Sequence, residues 1–486
     1  MKYIIAFWCI LISFAVQAQR DLPLRIEFET AKDASDYHFE QVGKQGCFIF
    51  YEGQSINKDT TSWLFMYYDT NLIKKRNITQ LLPASASYIT GDFSDNLLFL
   101  LFQEKKQKKQ PNTYHLVTID LLSETSTSSE IPNLTNSNIY KLINIGENFL
   151  INAYTEGQEY LYFFHPSTRK VTELSATKGF ISSVEFIEKD TFSHILYLGL
   201  SIIEDKKSAF FLYKTDYSGN IINILSFPAI EDYIYHSARM SILDSNSALI
   251  IGTYNMIQDK YTDNLHSGLY TLQFQEGEMQ SPTFFNFTQL RTRDSSFIQS
   301  AKPFNLNLQL LVGSLSTNNL QYTLTTEVYY PEYTQSGYSS YDPYGYNMPS
   351  SPVFTGYRYV NAYVTTFDKD GQLLWHHYIP FENMLTPRLI TRVNIFFENQ
   401  NAVIFYPYNS DITYTRVNGN RVLDKTTSIF IETSRKNDII EYSKKLQMEN
   451  WYENNFLIHG YQYLKNNSKN NKGKRYVFFV NKLRYQ

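Results

Sequence analysis

The sequence predicts an all-β chain folded as a single β-propeller, and three observations carry that prediction. The 486 residues include 40 Tyr and 35 Phe, with 43% hydrophobic and only 19% charged residues, so a core is available and wholesale disorder is excluded. Runs rich in Tyr, Phe, Leu and Ile, each closed by a polar turn, recur at a spacing of about 50 residues, as expected for propeller blades. No useful window carries the 3.6-residue apolar period of a helix, apart from an ambiguous stretch at Ile439–Met448.

The elements follow in order from the N-terminus. Lys2, the apolar run Tyr3–Val16 and the small side chains of Val16 and Ala18 form a secretory signal over residues 1–18, with cleavage before Gln19. The apolar run is too short to span a bilayer. No later stretch is long enough either, so no membrane-spanning segment is expected after signal removal. The protein is expected to be exported: periplasmic, associated with the outer surface, or secreted. Cys9 leaves with the signal. Cys47, in Cys47-Phe48-Ile49-Phe50, is then a lone thiol acting as a small hydrophobe.

Residues 19–486 form the propeller. Leu22–Glu29 is a spare strand ahead of the first blade. Turns fall near 69, 120, 165, 216, 275, 368 and 416. Several carry Asp or Asn with a following Gly, the chemistry of tight hairpins. Residues 138–175 show one whole blade: Ile139–Ile145 as strand a, Phe149–Tyr154 as b, Glu159–His165 as c and Lys170–Ser175 as d. Asn455–Tyr463 and Arg475–Lys482 read as strands b and c of a last blade that lacks its own strand d. The N-terminal strand supplies it and closes the ring, removing the open sheet edges. Eight four-stranded blades are favoured, with seven as the alternative, because residues 418–455 parse poorly.

Phe367-Asp368-Lys369-Asp370-Gly371-Gln372-Leu373-Leu374-Trp375 resembles the repeat of quinoprotein-like propellers, in which Asp-x-x-Gly precedes a strand ending in Trp. More broadly the chain resembles secreted bacterial β-propeller proteins of the WD40-like and quinoprotein-like class. One tryptophan-bearing copy supports the fold and assigns no quinone, so no cofactor is expected.

Function is read from the long connections. Strand b of the sixth blade is placed at Leu306–Leu315 and strand c near Tyr359, making residues 318–358 an outsized b–c loop. It holds Tyr329, Tyr330, Tyr333, Tyr338, Tyr341, Tyr344, Tyr346 and Tyr357 among Pro and Gly, a composition suited to a binding surface. Two further b–c loops are basic, with Lys105, Lys106, Lys108 and Lys109 in one and Lys465, Lys469, Lys472, Lys474 and Arg475 in the other. An anionic partner fits them, although such runs are more often solvated. The formal net charge of −3 argues against nucleic acid as a partner.

Catalytic motifs are absent. The nine histidines make no His-x-His or His-Glu-x-x-His arrangement, so no metal site is expected. Asp368 and Asp370 suit a hairpin turn better than a calcium loop. The sequence therefore favours a non-enzymatic exported propeller binding a protein or a cell-envelope glycan or lipid through its b–c face. The alternative is a carbohydrate-active hydrolase or lyase with its site at the axial mouth. Two or more buried carboxylates with His or Tyr at one mouth would favour the enzyme; an apolar or Ser/Thr plug would favour the binder.

Overall fold

The computed structural model describes residues 24–485 apart from connections at 33–35, 106–111, 133, 135–136, 175–178, 205–206, 245, 257–266, 288–308, 336–351, 425 and 469–472. The described residues form eight antiparallel sheets, one per blade, each with strands in the order a-b-c-d. In the third blade these are Asn138–Ile145, Asn148–Thr155, Gln158–His165 and Lys170–Leu174, matching the sequence reading. No described helix is long and apolar enough to cross a membrane. Residues 1–18, read from the sequence as a secretory signal, lie outside the described residues.

Strand b of every blade but the sixth is an apolar run buried on both faces, because it lies between two neighbouring blades. In Cys47–Asn57, strand b of the first blade, Phe48 and Phe50 pack with Leu98, Leu100 and Phe102 of the second blade. Cys47 and Ile49 point the other way, onto Leu457, Phe478 and Val480 of the eighth. Period-two alternation thus feeds two cores from one strand, which explains the unbroken apolar run. The same division puts Leu98 and Leu100 in one core and Phe99 and Leu101 in the next. The result is one hydrophobic cluster at every blade junction, the last closing the circle.

The ring closes as expected. Arg25–Thr30 pairs antiparallel with Gly473–Arg484, strand c of the eighth blade, from Arg25 opposite Asn481 to Thr30 opposite Tyr476. A buried ion network pins this seam. Glu27 accepts from Arg25 Nε and Arg475 Nη1, each at 2.6 Å, and Arg475 also binds Asp438. The Arg25 guanidinium lies 4.2 Å from the centre of the Phe479 ring.

Two segments depart from the sequence reading. Strand a of the sixth blade is Gln309–Asn318 and strand b is Gln321–Gln335, so the stretch placed as b is a. The intervening turn is Asn319-Leu320, both at positive φ, with no glycine to mark it. Its strand b buries Thr323, Thr325, Thr326 and Glu327, so it lacks an apolar run and reads as loop. The b–c connection therefore shortens to 336–351, and strand c is Pro352–Phe367. The ambiguous Ile439–Met448 lies within strand a of the eighth blade, Asp438–Asn450. Register shifts at Ile440/Tyr442 and Lys444/Gln447 break its alternation and mimic a longer period.

Candidate functional site at the propeller axis

Strand a of each blade faces the centre of the ring, and several carry ionisable side chains. Glu40 comes from His38–Gln41 of the first blade, Tyr88 and Asp92 from Ala86–Ser94 of the second, and Glu449 from the eighth. These blades converge: Glu449 acts electrostatically on both Glu40 and Tyr88, across the first blade from one neighbour to the other. Tyr88 Oη donates to Glu40 Oε1 in a short hydrogen bond. Gly91 makes room, since a Cβ there would stand 3.2 Å from Glu40 Cδ and 2.9 Å from Leu100 Cδ2.

The electrostatics separate the groups. Burial pushes the Glu40 carboxyl up to about 7, and the Glu449 and Asp92 charges add to this while the Tyr88 hydrogen bond opposes it. Burial also pushes His38 down to about 4, helped by the nearby cations Arg388 and Lys445. The His38 ring meets Tyr88 edge-on at 4.9 Å and stacks on Phe50 at 5.3 Å. On the other flank His459 Nε2 lies 3.2 Å from Glu449 Oε1, and its ring stacks on Phe39 at 4.4 Å. Near neutral pH one cluster on the inner strands therefore holds a carboxyl able to give or take a proton, a phenol and an unprotonated imidazole. That is the equipment of general acid–base chemistry.

The opposite half of the axis is built differently. Arg239 gives its donors to the backbone carbonyls of Glu185, Ala238, Val312 and Gly313 at 2.7 to 3.0 Å, tying three blades together. Glu159 Oε2 accepts from Tyr140 Oη at 2.5 Å, Val184 N at 3.0 Å and Asn152 Nδ2 at 3.2 Å. These groups brace the ring.

Beside the first cluster, on the b–c face, a cavity of about 490 Å³ opens between the sixth, seventh and eighth blades. Arg388, Arg392, Lys444 and Lys445 line it. Arg392 is buried and donates to Leu446 O at 2.6 Å, while its own N–H and that of Val393 reach Glu327 Oε1.

Four of the sequence-predicted tyrosines are described, and they occupy different surroundings. Tyr329 is buried at the junction of the sixth and seventh blades, with Oη bound to Gln309 Oε1 at 2.6 Å. Tyr357 packs edge-on to it, and Tyr330 is half-buried. Of these four, Tyr333 is exposed, at the outer end of its described strand beside Phe354 and Val353. Tyr338, Tyr341, Tyr344 and Tyr346 lie outside the described residues. In the basic loops, Arg475 is committed to Glu27 and Asp438, and Lys465 lies 3.6 Å from Glu441. Lys105 and Lys474 are exposed; Lys106, Lys108, Lys109, Lys469 and Lys472 lie outside the described residues. The axial cluster had no signature in sequence, because its members come from three blades and no motif spaces them. The same holds for the cationic cavity.

Fold and site together define an eight-bladed propeller with a cluster of ionisable side chains on its inner strands. The sequence matches no family model and no curated protein. In fold the chain is similar to the polysaccharide lyase Uly1, at 10% identity and a TM-score of 0.44 over 92% of this chain and 100% of that one. It is similar also to dihydro-heme d1 dehydrogenase NirN, at 10% identity and TM-score 0.43, covering 94% of this chain and 78% of that one. The β-propeller domain of the trilobed protease from Pyrococcus furiosus aligns at 8% identity and TM-score 0.36, over 82% and 95% of the two chains. These are likenesses of fold.

Proposed function

We propose that this is an exported propeller that acts on a carbohydrate at its axial mouth, with Glu40 and Tyr88 as the proton-handling pair. The supporting observation is the meeting of the Glu40, Asp92 and Glu449 carboxylates with Tyr88 and an unprotonated His38 in one cluster of inner-strand side chains. In this reading Glu40, half protonated near pH 7, gives a proton to a departing oxygen. As the carbon–oxygen bond breaks, Glu449 or Asp92 takes a proton from the water that attacks the sugar carbon or, where the product is unsaturated, from the adjacent C–H. The His38 and Tyr88 rings offer faces on which a sugar ring stacks.

The test is turnover on a panel of envelope and extracellular polysaccharides, followed by reducing ends and by unsaturated products. Glu40→Gln and Tyr88→Phe are each expected to lower kcat by roughly a hundredfold or more, the ordinary worth of a general acid. The wild-type rate should fall as pH rises through about 7 and Glu40 loses its proton. Unchanged turnover in both variants, or none by the wild type on any member, overturns the reading.

A second reading rests on the long hairpin of the sixth blade. The outer ends of its two described strands expose Tyr333, Val353 and Phe354 together, an apolar patch suited to a protein partner. This keeps the b–c face as a docking surface. It does so with three described residues rather than eight tyrosines.

A further inference from the structure

We propose that the cavity between the sixth, seventh and eighth blades binds the acidic group of a glycan, a carboxylate or sulfate, through Arg388 and Lys445. This rests on the axial reading and adds the class of sugar: a polyanion.

Three observations converge. The cavity gathers Arg388, Arg392, Lys444 and Lys445 although the whole chain carries a net charge of −3. The cations crowd one another: burial lowers the Lys445 pKa, and Arg388 and Lys444 lower it further. The acidic groups nearby are Asp36, whose charge acts on Lys445, and Glu327, whose Oε1 accepts from the N–H groups of Arg392 and Val393. An oxyanion seated among these cations relieves that repulsion and gains charge-assisted hydrogen bonds.

The backbone places the charges deliberately. Lys445 sits at φ 52°, in the left-handed region, within the register shift between Lys444 and Gln447. Gly460 on the paired strand accommodates that bulge, since a Cβ there would lie 2.9 Å from the Lys445 carbonyl oxygen. Bulges of this kind re-aim side chains beside functional sites. Here the bulged strand turns Lys444 and Lys445 into the cavity wall, where a regular strand would send alternate residues to opposite faces.

Position ties the cavity to the axis. Arg388 and Lys445 both act on His38, which touches Tyr88, which binds Glu40. A chain of acidic sugars with one charged group in the cavity thus runs toward the proton-handling pair.

The test compares two probes by calorimetry: an oligogalacturonate, and the same oligosaccharide with its carboxyl groups reduced to alcohols. The acidic probe should bind about tenfold or more tightly than the neutral one, the worth of one charge-assisted hydrogen bond. Arg388→Ala with Lys445→Ala, both exposed positions, should abolish that difference while leaving the neutral probe and the melting temperature unchanged. Glu40→Gln separates the two ideas: charge discrimination kept with turnover unaffected sinks the axial chemistry and leaves this site standing. Equal binding of both probes, or discrimination surviving the double variant, overturns the site. Co-sedimentation of the wild type with phosphatidylglycerol vesicles, lost in the double variant, would instead assign the cavity to lipid headgroups.

Discussion

Glu40 shows how a propeller axis alters a carboxylate. On a surface it would ionise well below neutrality; here protein surrounds it and like charges from two other blades face it, so its pKa rises to about 7. The Tyr88 hydrogen bond holds the rise in check, because it favours the ionised form. Tyr88→Phe should therefore move the Glu40 titration still higher, followed by carboxyl-labelled NMR, and an unshifted or lowered value would refute the pairing. The linkage to stability has a definite sign. The folded state holds the Glu40 proton more tightly than the unfolded chain, so this group's contribution declines as pH rises from the ordinary 4.5 to about 7. Glu40→Gln, which cannot ionise, should flatten that decline in denaturant melts. An unchanged slope would show that Glu40 titrates ordinarily.

At the scale of the element, the closing strand is held by more than its ladder. Burial alone would raise the Glu27 pKa, but the Ser434 hydroxyl, the Arg25 charge and the Arg475 hydrogen bond bring it down to about 2. The stabilisation from Glu27 is therefore complete above the ordinary 4.5 and is lost as pH falls toward about 2. Glu27→Gln removes the negative charge that Arg25 and Arg475 share, leaving Asp438 as the carboxylate on Arg475, and should cost about 3 kcal/mol at neutral pH. The difference from wild type should shrink in melts taken near the bottom of that window, and an equal loss at both pH values would mean the charge is idle. The spare N-terminal strand was legible in the sequence because the last blade lacked a fourth apolar run. Its ion network was not, because Arg475 stands in a run of lysines and reads as a solvated loop cation. The sixth blade escaped for a different reason: its strand b buries threonines and a glutamate, and polar residues buried inside a sheet leave no hydrophobic signal. Removing residues 320–356, which the sequence presents as a loop, would take strand b with it.

For the whole molecule, the ring was legible where two faces of one strand are buried, since those strands read as unbroken apolar runs. Phe48-Ile49-Phe50 and Leu98-Phe99-Leu100-Leu101-Phe102 show this directly, each dividing its side chains between two junction cores. The axis was illegible because its residues lie on half-buried inner strands, far apart in sequence, and meet only when the circle closes. Closure and function are thus linked: Glu449 reaches Glu40 because the eighth blade is sealed against the first. The most direct measurement is a crystal structure of Glu40→Gln soaked with the acidic oligosaccharide. The account predicts a sugar ring against His38 and Tyr88, an oxygen within hydrogen-bond reach of residue 40, and an acidic group on Arg388 and Lys445. A sugar bound instead on the long hairpin, beside Tyr333 and Phe354, with the axis empty, would contradict it.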